Sequence, residues 1–361
     1  MINMKNLLFC FCCLLAGQSF SQQPKTENLI IITLDGMRWQ EIFGGIDSQI
    51  VVNHKFTRDS AEIVSQFGAS GRTERRKKLF PFLWETVAKQ GQLYGDRLNG
   101  SEVNNANRYK FSYPGYNEIF TGYPDTNVNS NDKIKNPNTN VLEFLARQKG
   151  FDGQIAAFTS WDVFPFILNT WRSGIYVNSD VDSLHFNNPS FKLINDMQFL
   201  AARPLGMRLD VMTYFAGREY LKAYKPRILY IAFDETDDFA HAGLYDQYLK
   251  SAHAEDAMLN DLWTLVQSIP AYRGKTTLII TCDHGRGNKI KEQWTDHGTN
   301  IEDAGQIWIA ALGPDTKAAG IVKTNTPLYQ KQIAPTIAAL LGFHFVPEHG
   351  VSEPIHSMLE N

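Results

Sequence analysis

The chain has 361 residues, of which 43% are apolar and 12% aromatic, and its formal charge is −3. That balance describes an ordinary globular protein of one large or two smaller domains. It excludes a polycationic nucleic-acid binder, because the densest basic cluster, Arg72 to Lys78, has only the size of a solvated loop.

At the N-terminus Lys5 precedes the apolar run Leu7 to Ala16, and Ser19-Phe20-Ser21 offers small residues where a signal peptidase reads. Residues 1–21 are expected to be a signal peptide cut near Gln22, leaving 22–361 as a single mature domain. The run is too short to span a bilayer comfortably and no later segment reaches the required length, so the expected product is exported, periplasmic or secreted, with no membrane span. Cys10, Cys12 and Cys13 leave with the peptide. Only Cys282 remains, so no intrachain disulfide is expected. A lipoprotein anchor is the competing reading, and Phe9 before Cys10 fits a lipobox poorly.

In the mature chain, Leu29-Ile30-Ile31-Ile32-Thr33-Leu34 is apolar and β-branched, the pattern of a strand buried on both faces, and it ends at Asp35-Gly36. Arg38 to Phe43 begins a helix or loop beyond it. Phe80 to Gln90 has helical spacing, and Gly91 to Asn99 reads as a strand. A helix start is expected at Ser112, with Pro114 in the first turn, where a missing N–H costs nothing. Ser112 has two possible jobs there, helix capping or nucleophile. Thr126 to Asn140, rich in Asn, Asp and Pro, reads as loop, Val141 to Lys149 as helix and Gly153 to Phe158 as strand. The aromatic residues from Phe158 to Trp171 serve core packing or a substrate wall. Periodicity is weak from Asn178 to Pro204, and a loop-rich cap or insertion is expected over about 160–205.

From Met207 to Tyr224 the pattern is helical. It leads into the strand Arg227 to Phe233, which runs into Asp234-Glu235-Thr236-Asp237-Asp238-Phe239-Ala240-His241. If that segment is helical, Asp237 and His241 share a face at a spacing that lets two side chains hold one ion. Tyr245 to Ile269 is the longest amphipathic stretch. The next buried strand, Thr276-Thr277-Leu278-Ile279-Ile280-Thr281, stops at Asp283-His284 before Gly285 and Gly287. In an open α/β sheet, side chains at strand ends face a shared crevice, although Asp-His-Gly alone reads equally as a capped turn. Trp294 to Thr299 contains His297, Gln306 to Leu312 gives a further strand, and Ile333 to Gly342 reads as a helix closed by glycine. Strands alternating with helices predict an α/β fold with a mainly parallel central sheet covered by helices on both faces.

Collected from strand ends and loops, Asp35, Ser112, Asp237, His241, Asp283, His284 and His297 are enough for two divalent ions. Mixed Asp and His donors suit catalytic zinc, whereas a structural site would want more cysteine. Three aspartates and a serine alkoxide balance two Zn²⁺, so the cluster accepts an anionic substrate.

This set resembles the alkaline phosphatase superfamily, closest to its nucleotide pyrophosphatase/phosphodiesterase branch. The matching pieces are Leu34-Asp35-Gly36, Ser112-Tyr113-Pro114 followed by Thr121-Gly122-Tyr123-Pro124, Asp237 with His241, Asp283-His284-Gly285, His297-Gly298 and Ile333-Ala334-Pro335-Thr336. They occur in the family's order over nearly the whole mature chain. The resemblance implies one metal held by Asp237, His241 and His297, and a second by Asp35, Asp283, His284 and the Ser112 oxygen. Asp234 and Asp238 compete with Asp237 on spacing alone. His54, His185 and His253 read as surface or packing residues.

The implied reaction is hydrolysis of a small-molecule phosphate ester through a phosphoserine at Ser112, with Asn129 or Asn131 on a phosphoryl oxygen. Similar phosphomonoesterases often place a lysine and an arginine after the strand corresponding to Gly153 to Phe158. Here that place reads Ser160-Trp161-Asp162-Val163, which favours a diester or pyrophosphate unless Arg172 or Arg286 supplies the charge. A sulfatase would carry Cys/Ser-x-Pro-x-Arg, and Ser112-Tyr113-Pro114-Gly115-Tyr116 lacks the arginine. Phosphosugar mutases of the superfamily work in the cytoplasm, against the expected export. From another class, a metal-stabilised binding protein would have no need of the nucleophile.

Overall fold

Every residue from Asn28 to Leu34 is buried, which only a central strand with both faces covered requires. The computed structural model describes residues 24–359. The expected signal peptide and Cys10, Cys12 and Cys13 lie outside the described residues. Eleven strands are described: β1 (Asn28–Leu34), β2 (Gln92–Tyr94), β3 (Val103–Asn104), β4 (Ile155–Thr159), β5 (Tyr176–Ser179), β6 (Ile228–Phe233), β7 (Thr276–Thr281), β8 (Gln306–Ile307), β9 (Ile309–Leu312), β10 (Gly320–Ile321) and β11 (Leu328–Tyr329). Eight form one sheet in the order β10-β2-β9-β7-β1-β6-β4-β5, and β11-β3-β8 form a small second one. In the large sheet β9 alone runs antiparallel to its neighbours, β2 and β7.

The register brings chemistry to one edge. Leu34 pairs with Phe233, Thr33 with Thr281, Ala232 with Thr159, and Thr159 with Ser179. The chain therefore leaves β1, β6, β7, β4 and β5 at one level, the side on which open α/β sheets bind ligands. Each fully buried Val, Leu, Ile or Phe in these strands contributes about 1.5–3 kcal/mol, so this edge is rigidly held. The Asp210–Tyr224 helix packs on β4 and β6, and Tyr245–Ser268 packs against it.

Several expected elements change form. The Gly91 to Asn99 strand shortens to β2, because Gly95 takes a φ of +111° and a 3₁₀ turn follows at Arg97–Asn99. The Gln306 to Leu312 strand divides between two sheets as β8 and β9. Arg72 to Lys78, expected as a solvated loop, is the helix Arg72–Leu79, with the Arg76 guanidinium 3.5 Å from the Trp84 ring centroid. Within the weakly periodic 178–204 stretch lies the helix Pro189–Leu200, begun by an Asn188 cap and Pro189. The helix has apolar residues on opposite faces, Phe191 and Ile194 buried and Leu193, Met197 and Leu200 exposed, so its sequence shows no single apolar stripe. Cys282 is a buried free thiol, and among the described residues no helix is long and apolar enough to cross a membrane.

Candidate metal centre

Asp35 is the first residue beyond β1, Asp234 the first beyond β6, and Asp283 and His284 follow β7 after Cys282. The chain turns from β6 directly into the helix Glu235–His241. Its start is pinned from outside: Asp210 accepts from the Asp234 N–H (2.9 and 3.2 Å) and the Glu235 N–H (2.9 Å). Glu235 returns the favour, accepting from the Asp210 N–H at 3.3 Å, and the Ser160 hydroxyl donates to Asp210 at 2.5 Å. Asp237 and His241 then stand one turn apart, with Oδ2 and Nε2 at 3.2 Å.

Ser112 opens the helix Ser112–Thr121, which has extended Phe111 as its N-cap. The capping job falls to Asn131, whose Oδ1 accepts from the Tyr113 N–H at 2.9 Å. The Ser112 hydroxyl instead faces His284 Nε2 at 3.4 Å. Buried Glu118 in the same helix accepts from the N–H groups of Ala106, Asn107 and Lys331, so two distant chain segments hold the helix in place.

His284 Nε2 is the centre of the cluster. Asp35 Oδ1 lies 3.4 Å from it, Asp283 Oδ2 3.3 Å and Ser112 Oγ 3.4 Å. Donors bound at about 2.0–2.1 Å in a tetrahedron stand roughly 3.3–3.4 Å from one another, which is this spacing. Asp35 Oδ1 and Asp283 Oδ2 are also buried without a hydrogen-bond partner. Their sister oxygens are satisfied, Asp35 Oδ2 by the Tyr116 hydroxyl (2.8 Å) and Asp283 Oδ1 by the Gly36 N–H (3.1 Å). The orphaned oxygens are thus the two that face His284. Its Nδ1 sits 3.0 Å from the Gly285 carbonyl, which directs the Nε2 lone pair inward.

A second group adjoins the first. Asp237, His284 and His297 bring donor atoms within 4.8 Å of one another, as do Asp35, Asp283 and His284. His241 completes the second group from the rim, its Nε2 2.9 Å from His297 Nε2. His297 Nδ1 faces the Lys110 carbonyl at 3.3 Å, again turning Nε2 inward. Arg286, fully buried, pairs with Asp237 Oδ1 and donates to the Thr295 and Asp237 carbonyls, leaving Oδ2 toward His241.

The electrostatics ask for cations. Burial, followed by repulsion from neighbouring carboxylates, holds Asp35 and Asp234 well above the usual range, and burial with Asp35 does the same to Asp283. Asp238 is pushed up to about 7 by burial and Asp237. Asp237 goes the other way: although burial opposes ionisation, Arg286 and the adjacent histidines hold it well below the usual range. Burial and His284 drop His297 to about 2, so its lone pair stays free for a metal. A divalent ion would relieve this repulsion and displace protons as it bound.

The seven residues expected as ligands stand side by side at this edge of the sheet, His241 on its exposed rim, and Asp237 rather than Asp234 or Asp238 is the helix carboxylate beside the histidines. Asn131 lies at the nucleophile's helix start, whereas Asn129 lines a separate cavity of about 200 Å³ beside Tyr113. Arg172 departs from expectation. Its guanidinium is committed to Glu143 (2.8–3.0 Å) and to the carbonyls of Asn136, Pro137 and Asn138, where it ties loop to helix instead of facing substrate. Phe158 and Phe164 are core residues, Phe164 packing edge-on against Tyr116 and Tyr230. His253 is a packing residue, bonded to the Leu79 carbonyl.

The supporting shell was not foreseen. Asn105 and Gln330 both donate to the Asp283 carbonyl at 2.8 Å, and Thr236 Oγ1 donates to the Asp35 carbonyl at 2.6 Å. Only Tyr116 carried a signal, standing four residues from Ser112 on the same helix face.

No protein-family model and no curated protein matches the sequence. Solved structures do match in shape. The alkaline phosphatase PafA superposes with a TM-score of 0.63 at 11% identity, over 94% of this chain and 99% of that one. The lipoteichoic acid synthase LtaP from Listeria monocytogenes gives 0.58 at 12% identity, over 93% and 74%. A 2-O GAG sulfatase gives 0.55 at 15% identity, over 94% and 75%. The chain has the fold of the alkaline phosphatase superfamily.

Proposed function

We propose that this chain is a metal-dependent phosphoester hydrolase with Ser112 as nucleophile and a phosphodiester as its preferred substrate. One observation carries the reading: three donor atoms, Asp35 Oδ1, Asp283 Oδ2 and Ser112 Oγ, stand 3.3–3.4 Å from His284 Nε2. A pair of divalent cations, for which the Asp and His donors favour zinc, would supply Lewis-acid charge to ionise the hydroxyl and steady the phosphoryl and leaving oxygens. Asp35, Asp283 and His284 would hold one of them with the Ser112 oxygen, and Asp237, His241 and His297 the other.

The chain's own residues do the rest. Ser112 loses its proton to solvent as Oγ attacks phosphorus, the ester P–O bond breaks and the leaving alkoxide departs as an alcohol after taking a proton from water; water then cleaves the seryl phosphodiester, releasing a phosphate monoester and restoring the hydroxyl. Asn131 is fixed through its Oδ1 to the Tyr113 N–H, next in the chain to Ser112, and its amide N–H₂ would donate to a phosphoryl oxygen. Arg286 holds Asp237 in its ionised form. The diester preference follows from the shortage of free cations: Arg172 and Arg286 are engaged, Lys110 binds the Ile301 and Glu302 carbonyls, and Lys133 is paired with Asp162 at 2.5 Å. A monoester's extra negative charge has no dedicated partner among these groups.

The deciding assay compares bis-p-nitrophenyl phosphate with p-nitrophenyl phosphate and p-nitrophenyl sulfate, with and without a chelator. Chelator-sensitive turnover led by the diester is expected. Faster monoester or sulfate turnover reverses the substrate assignment, and none by zinc-loaded protein favours a binding protein. Asn131→Ala should lower kcat/KM by about 100-fold, the usual loss for one donor to transition-state charge; wild-type kinetics would remove Asn131 from the site. Asp210→Asn should weaken the binding of one zinc equivalent by about 10–100-fold in competition with a chelating dye, because it holds the helix that presents Asp237 and His241. Export, read from the first 21 residues, would be tested by finding the mature chain in the periplasmic or secreted fraction.

A further inference from the structure

The two donor groups differ in what surrounds them. The side chains of Asp35, Asp283 and His284 are all buried, and among the described residues no arginine or lysine pairs with either carboxylate. Asp35 Oδ1 and Asp283 Oδ2 lack any hydrogen-bond partner, so a cation there would meet two carboxylate oxygens that nothing else has claimed. Asp237 stands differently. Its Oδ1 lies 3.8 Å from both His284 Nε2 and His297 Nε2, yet this oxygen is already paired with the guanidinium of Arg286. That leaves Oδ2, 3.2 Å from His241 Nε2, and the His241 side chain is 45% exposed.

Arg286 is built into this position. It is buried, Nη1 donates to the Thr295 carbonyl at 2.6 Å and Nη2 to the Asp237 carbonyl at 3.1 Å. An arginine stays protonated in proteins, so a full positive charge is fixed against Asp237. Gly36, the neighbour of Asp35, makes room for the pair. A β-carbon there would stand 2.6 Å from Asp237 Oδ1 and 2.9 Å from Arg286 Nε, and its φ of +57° also favours glycine. A divalent ion held by Asp237, His241 and His297 would therefore share its one carboxylate with a guanidinium and be repelled by that charge. It would also have to immobilise a half-exposed histidine, at a cost in side-chain entropy. Neither penalty applies between Asp35 and Asp283.

We propose that Arg286 makes the Asp237–His241–His297 site the weaker of the two, so that one ion stays with Asp35, Asp283 and His284 while the second is exchanged with the medium. The inference rests on the metal-dependent reading of the site and adds its regulation. The group beside Ser112 is filled first, and turnover then rises with free zinc as the rim group fills. Arg286 acts here as a positioning residue, through the carboxylate it pairs with.

The test is titration of metal-free protein with zinc, in competition with a chelating dye, in wild type, Arg286→Gln and Arg286→Lys. Wild type should bind two ions per chain with dissociation constants about 100-fold or more apart, as one shared carboxylate against two unshared ones requires. Arg286→Gln removes the charge and should tighten the weaker ion by about 10-fold or more, the scale on which a change beside a ligand alters metal affinity, without moving the tighter one. Arg286→Lys keeps the charge and should resemble wild type. Because Arg286 is buried, His241→Ala, at an exposed residue, supplies a measurement that does not depend on how the Arg286 variants fold, and it should abolish the weaker ion alone. Equal constants in wild type, a second ion no tighter in Arg286→Gln, or loss of both ions in His241→Ala would overturn the proposal. Turnover of bis-p-nitrophenyl phosphate across free zinc concentrations separates the two readings. Stepwise binding without turnover supports the weak site and removes the hydrolase, whereas turnover with two ions of equal affinity removes the weak site and keeps the hydrolase.

Discussion

His284→Ala is expected to reduce kcat/KM for bis-p-nitrophenyl phosphate by about 10³-fold or more, equivalent to roughly 4 kcal/mol of lost transition-state stabilisation. The size follows from the position of one atom. His284 Nε2 lies 3.3–3.4 Å from Asp35 Oδ1, Asp283 Oδ2 and Ser112 Oγ, and 3.8 Å from Asp237 Oδ1, so it adjoins both donor groups. Without it, Asp35 and Asp283 remain as buried carboxylates whose repulsion an ion can no longer fully offset. The same loss should follow exhaustive chelation of the wild-type protein and be restored by zinc. Metal analysis gives an independent readout, with His284→Ala retaining less than the full complement. His185→Ala, at an exposed histidine, is the control and should match wild type. Full activity in His284→Ala, or in chelated wild-type protein, would remove the metal centre from the reaction.

The parts of this centre that were legible in the sequence are those set by local pattern. A buried parallel strand is a run of β-branched and apolar residues, so Leu29 to Leu34, Arg227 to Phe233 and Thr276 to Thr281 could be placed, and with them the acids that end them. The i, i+4 pair Asp237 and His241 is likewise a local fact once the helix is granted. Arg172 shows where such reading stops. Its charge was visible, but its partner Glu143 lies 29 residues away and became a neighbour only when the Val141–Ala146 helix packed beside Thr170–Ser173. Asp210 was invisible for the same reason, being 24 residues from the N–H it caps. In the Ser112 segment, spacing gave the helix start but left the serine's job open. The structure separates the two jobs because Asn131, from a loop whose composition signalled only irregularity, takes over the cap.

Gly115→Ala should cost about 100-fold in kcat while leaving zinc stoichiometry intact. A β-carbon at residue 115 would stand 2.5 Å from the Asp283 carbonyl oxygen and 3.1 Å from Asp283 Cβ. Neither contact can be relieved by a side-chain turn, because the first is backbone. Nor can the end of β7 retreat easily: Asn105 and Gln330 hold the Asp283 carbonyl at 2.8 Å, and the Gly36 N–H holds its carboxylate at 3.1 Å. The helix must move instead, and Ser112 lies three residues away at its first position. A shift of about 1 Å in a nucleophile is enough for a loss near 100-fold. Two opposing effects act on stability. Alanine gains about 1 kcal/mol over glycine in a helix interior, whereas overpacking costs about 1–3 kcal/mol, so a lower Tm is expected. Gly44→Ala, which meets nothing within 4 Å, should leave both quantities unchanged. If Gly115→Ala keeps wild-type kcat, the close approach of the Ser112 helix to β7 is not what positions the nucleophile.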